Sequence, residues 1–277
     1  MAIDISDSFI KQFEADVHLA YQQGGSKLKG AVRSKGSVKG SSTTFQKVGT
    51  GIASTKARHG LVPVMNLDHT PVECVLQDYY AGDWVDALDE LKIGHDERKV
   101  IAASGAYALG RKTDELIIDA LASAPETNDV GSYDEVLDKE SILEAFKTLN
   151  DNNIPDDGER FGLVGPYQWN ALLNMPEFSS SEYSGDSLPF LKGTECKKWL
   201  GINWIMHTGL PTSAEGQKDC FIFHKSAVGH ACGQDIKTDI SWHGDHAAHF
   251  VNNMMSQGAC LIDDKGVVRI KCKDATN

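Results

Sequence analysis

The sequence predicts an α+β fold, and three features point there. Residues 96–123 read as one unusually long helix. Residues 27–55 alternate with period two and read as the arms of a β-hairpin. After residue 158, short strand and helix signals follow one another closely, as in a compact α/β unit.

From the N-terminus, residues 4–23 (DISDSFIKQFEADVHLAYQQ) carry Phe9, Ile10, Phe13, Val17 and Ala20 at spacings of three and four. That is one apolar stripe on an amphipathic helix, ended by Gly24 and Gly25. Such a terminal stripe must dock on something, either its own body or a neighbouring copy. In the next segment Lys27, Lys29, Arg33 and Lys35 stand at alternate positions, giving a strand with one basic face. A Gly/Ser/Thr cluster at 36–44 reads as a turn region, and TFQKVGTGIAST is a second extended arm with Val48 and Ile52 on one face. The two arms hold few large apolar residues, so the hairpin needs a surface to lie on.

Residues 70–80 (TPVECVLQDYY) read as a buried strand. Asp83 is expected to cap a short helix, WVDALDEL, with Trp84, Leu88 and Leu91 inward. The long helix follows from Asp96 to Ser123, with acids at its start and small residues through its first half. At 1.5 Å per residue it would span about 42 Å. SILEAFKTLNDNN (141–153) is a second amphipathic helix, and Pro155–Gly158 mark a boundary. FGLVG reads as a buried strand, and Pro166 opens the helix PYQWNALLNM. WLGINWIMHTGLP and DCFIFHKSAVGHA supply a strand, a turn, a further strand and a short helix. GACLIDDKGVVRIKC reads as two short strands around a DDKG turn.

The charge is uneven. The chain has 277 residues and net charge −12, yet no acidic residue lies between Asp16 and Asp68. That window holds eight basic residues: Lys27, Lys29, Arg33, Lys35, Lys39, Lys47, Lys56 and Arg58. The remainder of the chain therefore sums to −20. Such asymmetry reports a partner, either nucleic acid or the acidic body of another copy. Phosphate grips on single strands add stacking aromatics, and this stretch has only Phe45. The self-complementary reading is the stronger one.

Composition excludes a membrane protein and a disordered chain, with 41% hydrophobic and 24% charged residues and no apolar run of about 20. MAIDISDSF has neither a positive n-region nor an apolar h-region, so no secretory signal is expected. The six cysteines form no CxxC and read as reduced, buried thiols. No nucleotide-binding, serine-hydrolase or HExxH motif occurs, so no catalytic residue and no cofactor are assigned. WHGDHAAH places His243, His246 and His249 three apart, which on a helix would share one broad face. They are the candidate metal ligands, but their spacing matches no ligand pattern. Surface or interface histidines are the reading adopted.

The order of parts resembles the major capsid proteins of tailed double-stranded DNA bacteriophages, with the Hong Kong 97-type fold. HTPVECVLQDYYAGDWVDALDELKIGHDERKVIAASGAYALGRKTDELIIDAL resembles the strand and spine-helix section of podovirus-like capsid proteins. WLGINWIMHTGLP is similar to a strand segment of the family's axial domain, and HFVNNMMSQGACLIDDKGVVRIKC to its C-terminal return. The resemblance implies an N-terminal arm (1–25), an extended loop (26–69), a peripheral domain (70–157) with its spine helix at 96–123, an axial domain (158–232) and a return segment (233–277). It implies a structural protein, not an enzyme, that self-assembles from hexamers and pentamers into an icosahedral shell around the genome. A separate scaffolding protein and a portal are the further expected partners, with packaged double-stranded DNA inside and no membrane. Assembly is expected in the bacterial host cytoplasm, and the mature location is the virion. The eight basic residues become inter-subunit contacts, and Phe9, Ile10, Phe13 and Val17 the docking face of the arm. An encapsulin-like cargo shell shares this fold and is the alternative; a His-cluster metalloprotein is a further one.

Overall fold

The computed structural model describes residues 24–90, 96–179 and 197–274. The expected arm helix, with Phe9, Ile10, Phe13 and Val17, lies outside the described residues, as does Leu91.

In chain order the strands and helices begin with β1 (Arg33–Lys35), β2 (Ser42–Val48), β3 (His69–Val75), β4 (Gln77–Asp86), α1 (Ala87–Glu90) and α2 (Glu97–Ala122). Next come β5 (Asp129–Gly131), α3 (Lys139–Asp151), β6 (Arg160–Val164), α4 (Pro166–Asn174) and α5 (Pro176–Ser179). The chain ends with β7 (Lys197–Trp199), β8 (Ile202–Met206), β9 (Gln217–His224), β10 (Val228–His243), β11 (Ala248–Leu261) and β12 (Val267–Lys273). Helices and sheets are both present in quantity, so the α+β class holds.

These elements form two compact units. The larger holds Lys27–Gln77, Thr113–Gly233 and Gln257–Asn277. Its centre is a sheet of order β5-β12-β9-β6-β8-β7. β9 reads DCFIFH and is buried on both faces, as a central strand requires. In the register of β6 with β8, Gly162 stands opposite Trp204. A Cβ on Gly162 would sit 2.6 Å from the buried indole, so only glycine lets the ring lie flat on the strand. β7 turns into β8 through Leu200 and Gly201, both at positive φ, the conformation of a tight two-residue hairpin. Asp138 caps α3 by accepting the Ser141 N–H at 2.8 Å, and Ile142, Ala145 and Leu149 face the core. Pro166 occupies the first turn of α4, where its missing N–H costs nothing. Arg269 donates to the carbonyls of Ala122 and Ala124 at 2.8 and 2.9 Å, supplying the cation that the last turn of α2 lacks.

The smaller unit holds the described parts of Met1–Ser26, Asp78–Lys112 and Gln234–Ser256. Its strands cross-link through Asn253, which is fully buried. The Asn253 amide donates to the Ala81 carbonyl at 3.2 Å and accepts from the Thr238 hydroxyl at 2.5 Å. Gly105 of α2 lies against that amide, and Gly110 lies against the Gly25 backbone, where a Cβ would come within 2.6 Å. The small residues of α2 therefore admit backbone and polar groups at close range.

Several expectations are corrected. The hairpin is not formed by 27–35 and 44–55. β1 pairs in parallel with β10 (Arg33 with Gly229), and β2 pairs antiparallel with β3 (Ser42 with Val75, Val48 with His69). The segment before β1 is not core-free, because Leu28, Ala31 and Val32 are buried in the main core. Residues 70–80 are not a buried strand; they divide between β3 and β4 and are mostly exposed. WVDALDEL is not one helix with Trp84 and Leu88 inward. β4 continues to Asp86, α1 is a single turn, and both side chains are exposed. WHGDHAAH is not helical but forms the turn between β10 and β11.

Candidate assembly surface

The β2–β3 ladder runs seven rungs, and Gly49 N–H to Asp68 O at 2.8 Å closes one more. Beyond it, residues 50–67 form no strand or helix. A turn at Ala57–Gly60 marks the tip, held by Gly60 N–H to Ala57 O at 3.0 Å, and Met65 folds back onto Gly51. Every residue from 48 to 66 is exposed. That includes Ile52 at 82%, Leu61 at 96%, Val64 at 82%, and also Val62 and Met65. Isolated exposed apolar residues mean little, but a cluster on one loop marks an interaction surface. The sequence pointed to this loop's charges and to Ile52. The apolar signal was present as LVPVM, but such a run reads equally well as a buried strand.

The base of the hairpin is fixed to its own unit. Phe45, Cys74, Leu76, Ala231 and Ile262 form a small separate apolar cluster, with Val38 and Cys260 packed against it. Lys47 bridges Asp263 at 2.8 Å and Asp264 at 3.5 Å. The hydrogen bond to Asp263 holds the Lys47 ammonium above its ordinary pKa. Arg33 lies over the Phe45 ring at 5.8 Å.

The basic residues thus divide. Lys27 reaches the Met206 carbonyl at 3.5 Å, Lys35 donates to the Thr43 hydroxyl at 2.7 Å, and Lys47 is bridged within the chain. Lys29 is half-buried and engaged. Lys39, Lys56 and Arg58 are exposed, and Lys56 donates to the Gly60 carbonyl at 3.1 Å. The structure places Lys56 and Arg58 on the same loop as the apolar cluster.

The three histidines do not converge as a ligand set. The Trp84 indole packs on His243 and His246 at 5.1 and 4.5 Å, while His249 packs on Trp242 at 4.9 Å. Among the described residues, metal-ligand spacing occurs instead at Asp157, Glu159 and His224. There His224 Nδ1 accepts the Ser226 N–H at 3.3 Å, so its proton sits on Nε2 and faces Asp157 at 3.1 Å. Glu159 is taken by Lys225 at 3.0 Å. The Glu159 N–H, then the imidazole, hold Asp157 below the usual carboxylate range. This is a hydrogen-bonded cluster around a turn, with one ion pair, Lys225 to Glu159, and both ring nitrogens of His224 already committed. Among the described residues no helix is long and apolar enough to cross a membrane.

A family model described as phage capsid protein matches residues 5–274. The chain belongs to that family. Its role is structural rather than enzymatic: it is a major capsid shell protein of a phage. No curated protein matches the capsid chain. Solved structures do. One from Mycobacterium phage Che8 is 19% identical, with a TM-score of 0.72 over 95% of this chain and 97% of that one. The capsid structure of cyanophage P-SCSP1u is 16% identical, with a TM-score of 0.73 over 100% and 96%. The capsid of Ralstonia phage GP4 is 12% identical, with a TM-score of 0.70 over 99% and 98%. The shared architecture is the Hong Kong 97-type capsid fold.

Proposed function

We propose that each capsid subunit lays the loop 49–68 across an acidic surface of the next identical subunit. The observation that carries this reading is the joint exposure of Ile52, Leu61, Val62, Val64 and Met65 beside Lys56 and Arg58. Leaving that much apolar surface in water is unfavourable by about 25 cal/mol per Å², and burial on a neighbour recovers it. A head-to-tail contact of this kind closes into rings, which suits hexamers and pentamers of an icosahedral lattice. The −20 on the remainder of the chain supplies complementary charge and a salt-sensitive register.

On this reading assembly takes place in the host cytoplasm with a separate scaffolding protein and a portal, and the finished shell holds double-stranded DNA. Phe9, Ile10, Phe13 and Val17 are the docking face of the N-terminal arm. The test is a Leu61→Ser, Val62→Ser, Val64→Ser triple variant, followed by sedimentation and electron microscopy. A folded, soluble subunit that forms no shells is expected. Shells at the wild-type yield would overturn the reading.

A further inference from the structure

We propose that Cys74 and Cys260 are a disulfide site that locks the base of the β2–β3 hairpin. Cys74 lies at the end of β3 and is buried, with its side chain turned inward where Val75 turns outward. Cys260 lies on β11, half-buried, and packs against the same small cluster as Cys74. The backbones cross closely here: a Cβ on Gly258 would stand 2.1 Å from the Val75 carbonyl oxygen. Gly258 and Cys260 share one face of β11, two residues apart, so the Cys260 side chain rises beside the crossing. Each thiol is the largest influence on the acidity of the other, so the pair gives up its first proton as a unit.

The other cysteines set the contrast. Cys220 and Cys272 also meet, Sγ to Sγ at 3.6 Å, but both are buried in the ladder of β9 with β12 and offer no approach to an oxidant. Cys232 is half-buried on β10 and is the natural competitor. Among the described cysteines, only the Cys74–Cys260 pair joins the hairpin to β11.

The oxidant is a small disulfide such as oxidised glutathione, which reaches the pair at Cys260. Once the pair has lost one proton, the Cys260 sulfur, the one that the oxidant reaches, attacks one glutathione sulfur, and one glutathione thiolate leaves. The Cys74 sulfur then attacks Cys260 in the mixed disulfide and expels the second thiolate. Two protein thiols become one S–S bond, and their two protons and two electrons leave with two molecules of reduced glutathione. A capsid assembled under reducing conditions and then released into an oxidising medium would meet such an oxidant late. The bond would then fix the hairpin whose loop grips the neighbour. That consequence rests on the docking reading; formation of the bond does not.

The test uses the full-length, unassembled subunit, incubated with oxidised glutathione and mapped by peptide mass spectrometry under non-reducing conditions. A Cys74–Cys260 peptide is expected, with Cys220 and Cys272 recovered as free thiols after unfolding. Amide exchange over Ser42–Val48 is expected to slow by about tenfold in the oxidised wild type, because opening of the strand is restrained. Cys260→Ser, at a half-buried position, is expected to abolish both effects. A Cys232–Cys260 link, or Cys74 and Cys260 both recovered free, would overturn the proposal. So would unchanged exchange in the linked protein, or slowed exchange in Cys260→Ser. Shell formation by the reduced wild type is scored separately, so failure of the disulfide leaves the docking reading standing.

Discussion

The Nε2 of His207 and the Oδ2 of Asp114 meet at 3.2 Å, with both side chains buried. His207 Nδ1 accepts the Gly209 N–H at 3.0 Å, so the ring presents its Nε2 proton to the carboxylate. The same carboxylate accepts the N–H groups of Lys27 and Leu28, each at 3.1 Å. One side chain on α2 therefore fixes both the loop after β8 and the point where the basic segment joins the core.

Asp114→Ala strands two backbone N–H groups and an imidazole N–H in the core. Removing one partner of such a buried network costs roughly 3–5 kcal/mol. Asp114→Asn keeps an acceptor oxygen and should lose less. Urea unfolding of the unassembled subunit is expected to rank the midpoints as wild type, then Asn, then Ala. Equal midpoints for wild type and Ala would remove the network from any account of stability.

Gly162→Ala tests the close packing of Trp204 on β6. The new methyl group would meet the Trp204 indole, which is fully buried and cannot swing aside. Overpacking of this kind costs about 1–3 kcal/mol. A lowered Tm and an altered near-ultraviolet tryptophan signal are expected. An unchanged signal would mean that β6 shifts at no cost.

Much of the fold was legible because its signals are local. α2 announced itself by its length and its acidic start, α3 by periodicity, and α4 by Pro166. The misread parts depend on distant pairing. β1 finds its partner in Gly229–Ala231, near the other end of the chain, and no local pattern shows that Leu28 and Val32 turn into a core built mainly from residues beyond 115. The TPVECV strand looked buried because its apolar residues were counted without knowing that only a small cluster around Phe45, Leu76, Ala231 and Ile262 receives it. At the candidate surface the charges were legible and the apolar loop was not. An exposed Leu61 and a buried one are written with the same letter.

The Lys47 bridge to Asp263 and Asp264 gives a pH dependence of definite sign. Lys47 is raised, so its contribution is full below the ordinary lysine range and is lost as pH rises through the raised value. Partial burial pushes Asp264 up, but the Lys47 charge prevails and holds it below the usual carboxylate range. Its contribution is full above that range and is lost as pH falls through the lowered value. The side chains are about one third to one half exposed, so the bridge contributes no more than about 1 kcal/mol. Amide exchange in Ser42–Val48 is expected to be flat across neutral pH and to rise in acid, after correction for intrinsic rates. Lys47→Met should remove the acid-dependent part. A persistent acid response in that variant would assign it elsewhere.

The final prediction separates gripping charges from anchoring ones. Lys39, Lys56 and Arg58 are exposed, whereas Lys35 and Lys47 hold the hairpin to its own unit. Reversing Lys39, Lys56 and Arg58 to Glu should leave the subunit's Tm within about 1 °C, since exposed charges contribute little to folding. It should still prevent shell formation if those charges face an acidic neighbour. Reversing Lys35 and Lys47 should lower Tm as well. Wild-type assembly should weaken as ionic strength rises past about 0.1 M, where the screening length falls to about 10 Å. Light scattering across a salt series decides the matter. A triple reversal that assembles like wild type at low salt would leave the apolar residues Ile52, Leu61, Val62, Val64 and Met65 as the only carriers of the contact.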